Sequence, residues 1–179
     1  MQGFLKSVMT ISALSSLVIA PVLLSAGEAS AMPKERGTNA SYVGGGISAG
    51  LTNGGKNGDA ATFGGNVAAR AKLGNLPVSA RGQINFSDET SAIIPNVTVD
   101  IPILRGTNLY LGGGYQFVEK NGKPTPSGNK DGIAAIAGIE SEVARNFLIY
   151  SNATVGINAY QNSSASSVSI NSGVGFRFK

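Results

Sequence analysis

The chain has 179 residues, with 14 basic against 10 acidic side chains and a formal net charge of +4. It contains no cysteine and no histidine. That removes disulfide staples, nearly every zinc, haem or iron–sulfur site, and both Ser-His-Asp and Cys-His catalysis. Tryptophan is absent and the basic residues form no tract of five or more, so neither a nucleic-acid platform nor a cofactor site is expected.

The first element is residues 1–31. Lys6 precedes an apolar run over 8–24, and Ala29, Ser30 and Ala31 supply the small residues of a cleavage site. This reads as a secretory signal cut before Met32. A retained anchor is the alternative, but the run is close to the lower limit for a spanning helix. It is also interrupted by Thr10, Ser12, Ser15, Ser16 and Pro21. Residues 32–40 form a short polar periplasmic leader.

From residue 41 to 179 apolar and polar residues alternate in eight runs. Successive side chains of a strand point to opposite faces, so each run predicts a strand with one apolar and one polar face. The first, 41–52, sets Val43, Ile47 and Leu51 against Tyr42 and Ser48. The second, 62–73, sets Phe63, Val67 and Leu73 against Asn66, Arg70 and Lys72. The third, 77–86, sets Val78, Ile84 and Phe86 against Arg81, Gln83 and Asn85. The fourth, 92–104, sets Ile93, Val97, Val99, Ile101 and Ile103 against Asn96, Thr98 and Asp100. The fifth, 109–118, turns Leu111, Tyr115 and Phe117 outward. The sixth, 132–143, turns Ala135, Ala137, Ile139, Ser141 and Val143 outward and Glu140 and Glu142 inward. The seventh, 147–159, presents Phe147, Ile149, Ser151, Val155 and Ile157. The eighth, 167–179, presents Val168, Ile170, Val174, Phe176 and Phe178, with Asn171, Arg177 and Lys179 opposite.

The apolar stripe carries no charge. Eight such strands predict an all-β, eight-stranded antiparallel transmembrane β-barrel with its apolar face toward lipid and its polar face toward the lumen. The runs are about as long as a tilted strand needs to cross a bilayer. Links after strands two, four and six are tight, whereas those after one, five and seven are longer, matching periplasmic turns and external loops. The link 87–91 is shorter than its siblings. Pro95 and Pro102 both fall in strand four; Pro95 is expected at the strand's start and Pro102 at a bulge near its end. A soluble exported barrel or sandwich would also alternate, but its core would need large side chains. The polar face here is rich in glycine and small residues.

On this pattern, the loop rhythm and the aromatic last strand (Gly173, Val174, Gly175, Phe176, Arg177, Phe178, Lys179), the chain resembles the small outer-membrane β-barrel family. That family includes porin-like and opacity-type proteins and the transmembrane domain of outer-membrane protein A. The resemblance implies a bacterial outer-membrane protein in contact with membrane lipid and lipopolysaccharide. It also implies that Phe176 and Phe178 serve as a signal to the barrel-assembly machinery, although Lys179 follows the terminal aromatic. Members acting on lipid A use histidine-containing sites, which this chain lacks, so a non-enzymatic role in envelope structure is expected. A narrow porin-like channel for ions or small solutes is the alternative. Closure leaves no edge strand, and a monomer is expected.

The main candidate site lies in the lumen. Arg70, Lys72, Arg81, Asp100, Glu140, Glu142 and Arg177 all face inward near the tight-turn end, and are expected to form one ion-pair network. Paired, they plug the barrel; as a ring around an open path, they gate it. Glu140 and Glu142 could be read as a general acid and base, but neighbouring cations favour salt bridges over proton transfer. The segment 50–56 imitates a phosphate loop, yet Asn57 replaces the magnesium-binding hydroxyl and no helix follows. The loop 119–131 carries Lys120, Lys123 and Lys130 and reads either as a solvated mobile loop or as a contact surface for anionic lipopolysaccharide or another partner.

Overall fold

The computed structural model describes residues 37–53 and 62–178. The signal segment, most of the leader, and Gly54, Gly55 and Lys56 of the phosphate-loop lookalike lie outside the described residues. The strands are β1 (Ser41–Gly50), β2 (Phe63–Lys72), β3 (Val78–Phe86), β4 (Ser91–Leu104), β5 (Thr107–Val118), β6 (Gly132–Ala144), β7 (Phe147–Gly156) and β8 (Ser167–Phe178). Each pairs antiparallel with its successor, and β8 returns to β1 from Ser41↔Phe178 to Gly50↔Ser169, closing the barrel. The alternating pattern therefore becomes a closed eight-stranded barrel.

The outer face is apolar on every strand. Val43, Val67, Ile84, Val97, Leu111, Ile133, Phe147 and Val174 are among the side chains left exposed. A soluble fold would bury such a band. Phe63, Phe86, Tyr115 and Phe117 ring the end with long loops, whereas Phe147, Phe176 and Phe178 ring the end with short turns. Aromatic girdles of this kind mark the two boundaries of an apolar band. Where the outer face does hold hydroxyls, they satisfy one another across strands: Thr107 with Ser141 at 2.8 Å and Ser151 with Ser172 at 2.7 Å.

Several boundaries move. Strand seven stops at Gly156, not 159, because Asn158 takes a left-handed φ of 51° and turns the chain back over the barrel mouth. Strand five starts at Thr107, so its link to β4 shrinks to Arg105 and Gly106. Pro102 flanks a register shift, as expected. Pro95 does not lie at the start of β4: it is opposite Gly82, well inside the strand. The β4–β5 ladder steps from Ile93↔Phe117 to Asn96↔Gly114 and passes over Pro95, whose missing N–H falls in that gap.

Candidate functional site

The lumen is filled at three levels. Nearest the short turns, Arg70 (β2), Arg81 (β3), Asp100 (β4) and Glu140 (β6) form a closed ring of four ion pairs. Arg70 meets Asp100 at 2.7 Å and Glu140 at 2.8 Å; Arg81 meets the same two carboxylates at 2.8 and 2.9 Å. All four are buried, Glu140 completely. Two positive and two negative charges leave the ring neutral, and its remaining hydrogen-bonding capacity is also used. Arg70 Nε donates to Ser79 Oγ at 2.9 Å, and Arg81 Nε to Thr98 Oγ1 at 2.8 Å. Ser79 also donates to Asp100, and Asn108 Nδ2 donates to Glu140 Oε1 at 3.0 Å. Buried charge is tolerable only with such complete pairing.

The ring does not absorb the whole predicted cluster. Arg177 pairs with Glu142 in a second, partly buried bridge nearer the rim. Lys72 makes no ion pair among the described residues and donates to Asn39 Oδ1. The single network of seven thus becomes a ring of four, a separate pair and a lysine at the surface. The physical reason is depth for two of them: Lys72 and Glu142 sit one inward position closer to the rim than Arg70 and Glu140 on the same strands, and Arg177 is drawn out to Glu142.

A strap that sequence reasoning treated as a polar leader covers the ring. Thr38 is buried, and Gly37 bridges Arg105 in the β4–β5 link. Arg70 Nη1 donates to the carbonyls of Thr38 and Ala40 at 3.2 and 3.1 Å. Asn108 donates to Thr38 O at 2.9 Å and accepts from Thr38 N at 3.1 Å, while the Thr38 hydroxyl donates to Glu142. Gly37, Thr38, Asn39 and Ala40 carry no charge or motif, so sequence held no signal for the strap they form.

Above the ring lies an aromatic level. Tyr42 and Tyr150 stack with centroids 5.8 Å apart, and the Arg81 guanidinium lies 3.8 Å from the Tyr110 ring centroid. Arg81 Nη1 also donates to the Tyr42 hydroxyl at 3.1 Å. These rings need space, and glycine supplies it: a Cβ at Gly138 would fall 2.5 Å from Tyr110 Oη, and one at Gly173 2.5 Å from Tyr150 Oη. Glycine in the strands thus marks bulky neighbours packing close. Ile94, Ile136 and Leu148 also point inward and are buried, so this level is more apolar than alternation alone suggests.

The third level is neutral and polar. Ser48 donates to Asn171 at 2.5 Å, and Asn171 to Asn152 at 2.9 Å. Asn85 reaches Ser127 Oγ at 2.6 Å. Ser127 belongs to loop 119–131, which folds inward: Thr125, Ser127 and Asn129 are almost fully buried. Thr125 and Gly128 form a tight turn with backbone bonds of 3.0 and 3.1 Å, and Asn129 Oδ1 accepts from Gln161 N at 2.8 Å. The expectation of a solvated mobile loop is corrected for this part, because its polar side chains find partners inside the barrel mouth. Lys120, Lys123 and Lys130 remain at the surface. Lys123 binds Glu89 at 2.6 Å, and that hydrogen bond and charge hold its amine above the ordinary lysine value. The short link 87–90 is braced by Ser87 Oγ, which donates to Pro124 O at 2.8 Å.

Chemically, the site holds charges still. Each carboxylate of the ring is locked between two guanidinia, a poor arrangement for proton transfer. Phe176 and Phe178 lie on the outer face of β8, and Phe176 packs edge-on against Phe147 at 5.7 Å between centroids.

No family model and no curated protein matches the chain. Among solved structures, Neisserial surface protein A aligns over 79% of this chain and 100% of its own, at 15% identity and a TM-score of 0.51. Its fold is that of the small eight-stranded outer-membrane barrels. Ail, the attachment invasion locus protein of Yersinia pestis, solved in complex with the heparin analogue sucrose octasulfate, aligns over 78% of this chain and 97% of its own, at 18% identity and a TM-score of 0.49.

Proposed function

We propose that this protein is a non-enzymatic outer-membrane barrel with a closed lumen, serving envelope structure and offering its external loops for contacts. The observation that carries this reading is the triple closure of the lumen by the neutral four-charge ring with its strap, the stacked tyrosines, and the infolded loop 119–131. Interiors of eight-stranded barrels are just wide enough for side chains to fill, and here every level is occupied. The exposed apolar band between two aromatic girdles supports a bilayer location. The short turns then face the periplasm and the long loops face outward. Export by a cleaved signal and recognition of Phe176 and Phe178 by the assembly machinery complete this reading.

At the external end, Lys120, Lys123 and Lys130 are accompanied by Asp88, Glu89, Glu119 and Asp131 among the described residues, and Lys123 pairs with Glu89. That balance supports local contacts between Lys120 or Lys130 and lipopolysaccharide, more than attraction by net charge.

The test is refolding of the mature chain into lipid vesicles, read by heat-modifiable gel mobility and by liposome swelling in small sugars. A folded barrel in vesicles that do not swell is expected. Swelling at a porin-like rate would overturn the closed lumen, and a chain left in the aqueous fraction would overturn the membrane reading.

A further inference from the structure

Charge is shared unevenly between the two ends. Outside the four-charge ring, the described groups at the short-turn end are Lys72, Arg105, Arg145 and Arg177 against one carboxylate, Glu142. At the long-loop end, carboxylates outnumber lysines among the described residues. The cationic excess therefore sits on the rim that the proposed orientation places in the periplasm.

Part of that rim is shaped. An open cleft of about 480 Å³ lies where the β6–β7 turn meets the end of β8, lined among the described residues by Arg145, Asn146, Arg177 and Phe178. Arg177 N donates to Asn146 O at 2.9 Å, which holds the turn against the strand. The Arg177 guanidinium is shared with Glu142. Arg145 is exposed and makes no ion pair among the described residues, so among them it supplies the net charge of the cleft. Beside it, Phe147, Phe176 and Phe178 stand exposed on the outer face, two of them packed edge to face. Arg145 and the Arg177–Glu142 bridge thus line a cleft whose outer edge, at Phe178, continues into an apolar aromatic shelf. A free anion would use only the first half of that arrangement. An anionic lipid uses both, its phosphate on the arginine donors and its chain along the rings.

We propose that this cleft seats the headgroup phosphate of an anionic phospholipid from the periplasmic leaflet, with the acyl chain lying on Phe147, Phe176 and Phe178. The inference rests on the membrane reading above and adds a lipid class, a leaflet and a site to it. Arg145 lies in a turn and holds no described bond, so its replacement leaves the barrel's folding intact.

The test uses the refolded chain, Arg145→Gln and Arg145→Lys in mixed vesicles of phosphatidylcholine and phosphatidylglycerol. The readout is the selectivity for spin-labelled phosphatidylglycerol over phosphatidylcholine at the protein surface. The unaltered chain should favour phosphatidylglycerol, with roughly a fivefold change for one basic residue at the membrane surface. Arg145→Gln should bring selectivity close to parity, Arg145→Lys should keep part of it, and added salt should weaken it. Unchanged selectivity in Arg145→Gln would overturn the proposal. So would its abolition by millimolar inorganic phosphate at constant ionic strength, which would assign the cleft to a free anion. A chain that fails to float with the vesicles overturns the membrane reading and this inference with it. Insertion without lipid preference overturns this inference alone.

Discussion

Arg81 and Glu140 face each other across the lumen as a bidentate pair, with Nη1–Oε2 at 2.9 Å and Nη2–Oε1 at 3.2 Å. The same guanidinium covers the Tyr110 ring, so one side chain ties the charged level to the aromatic one. Removing one member of such a buried pair strands the other charge and costs about 3–5 kcal/mol. Glu140→Gln should lower unfolding stability in that range, measured by urea titration of vesicle-embedded protein. The double variant Arg81→Met, Glu140→Met leaves Arg70 and Asp100 as a neutral pair. Its loss should fall clearly short of the sum of the single losses. Stability unchanged in Glu140→Gln alongside altered conductance would mean that the ring gates and does not plug.

Gly138 and Gly82 should respond oppositely to alanine. A Cβ at Gly138 meets Tyr110 and Asn152, whereas one at Gly82 meets nothing within 4 Å. Gly138→Ala should cost about 1–3 kcal/mol through overpacking. Gly82→Ala should be neutral or stabilising by up to about 0.5–1 kcal/mol, the strand preference for alanine over glycine. Urea midpoints of the two variants decide this, and equal effects would contradict the tyrosine packing.

Much of this fold was legible in the sequence. Strict alternation assigned each side chain to a face, and tight links after every second strand separated the two ends. Arg70, Arg81, Asp100 and Glu140 could be grouped because each is inward-facing and close to a short turn. What alternation could not supply was height. Strands of a barrel are tilted and staggered, so residues at equal distance from their turns need not meet. Lys72 and Arg177 share the right face and still miss the ring. The strap at Thr38 and the burial of Thr125, Ser127 and Asn129 were hidden for another reason. Short polar residues read as solvated until a polar lumen offers them partners. Pro95 was misplaced because a missing donor can be absorbed at a gap in the ladder as well as at a strand end.

The strap should be separable from the barrel. Thr38→Val keeps the side-chain shape but removes the hydroxyl that binds Glu142. It also removes the acceptor of Ala40 N, and should cost about 1.5–3 kcal/mol, the usual net worth of a hydrogen bond to a charged group, seen as a lower urea midpoint. Arg70 retains its bonds to the Thr38 and Ala40 carbonyls in this variant, so the ring should survive. A loss as large as that of Glu140→Gln would contradict the separation of rim pair and ring.

Loop 119–131 should resist proteolysis more than its exposed lysines suggest. Its inner half is pinned through Asn129, which receives Gln161 N and whose own N–H reaches Ala159 O at 2.9 Å. Asn129→Ala should release that half and speed trypsin cleavage after Lys120 and Lys130, timed on the folded protein in vesicles. Equal cleavage rates would return the loop to the mobile class.

The closed lumen is tested most directly by single-channel recording of the refolded mature chain in a planar bilayer, with heat-modifiable mobility confirming that the inserted protein is folded. A neutral ring with every carboxylate bound, stacked tyrosines above it and an infolded loop at the mouth require a silent barrel. Reproducible discrete conductance steps from folded protein would contradict the closed lumen and make Arg70, Arg81, Asp100 and Glu140 the constriction of a pore.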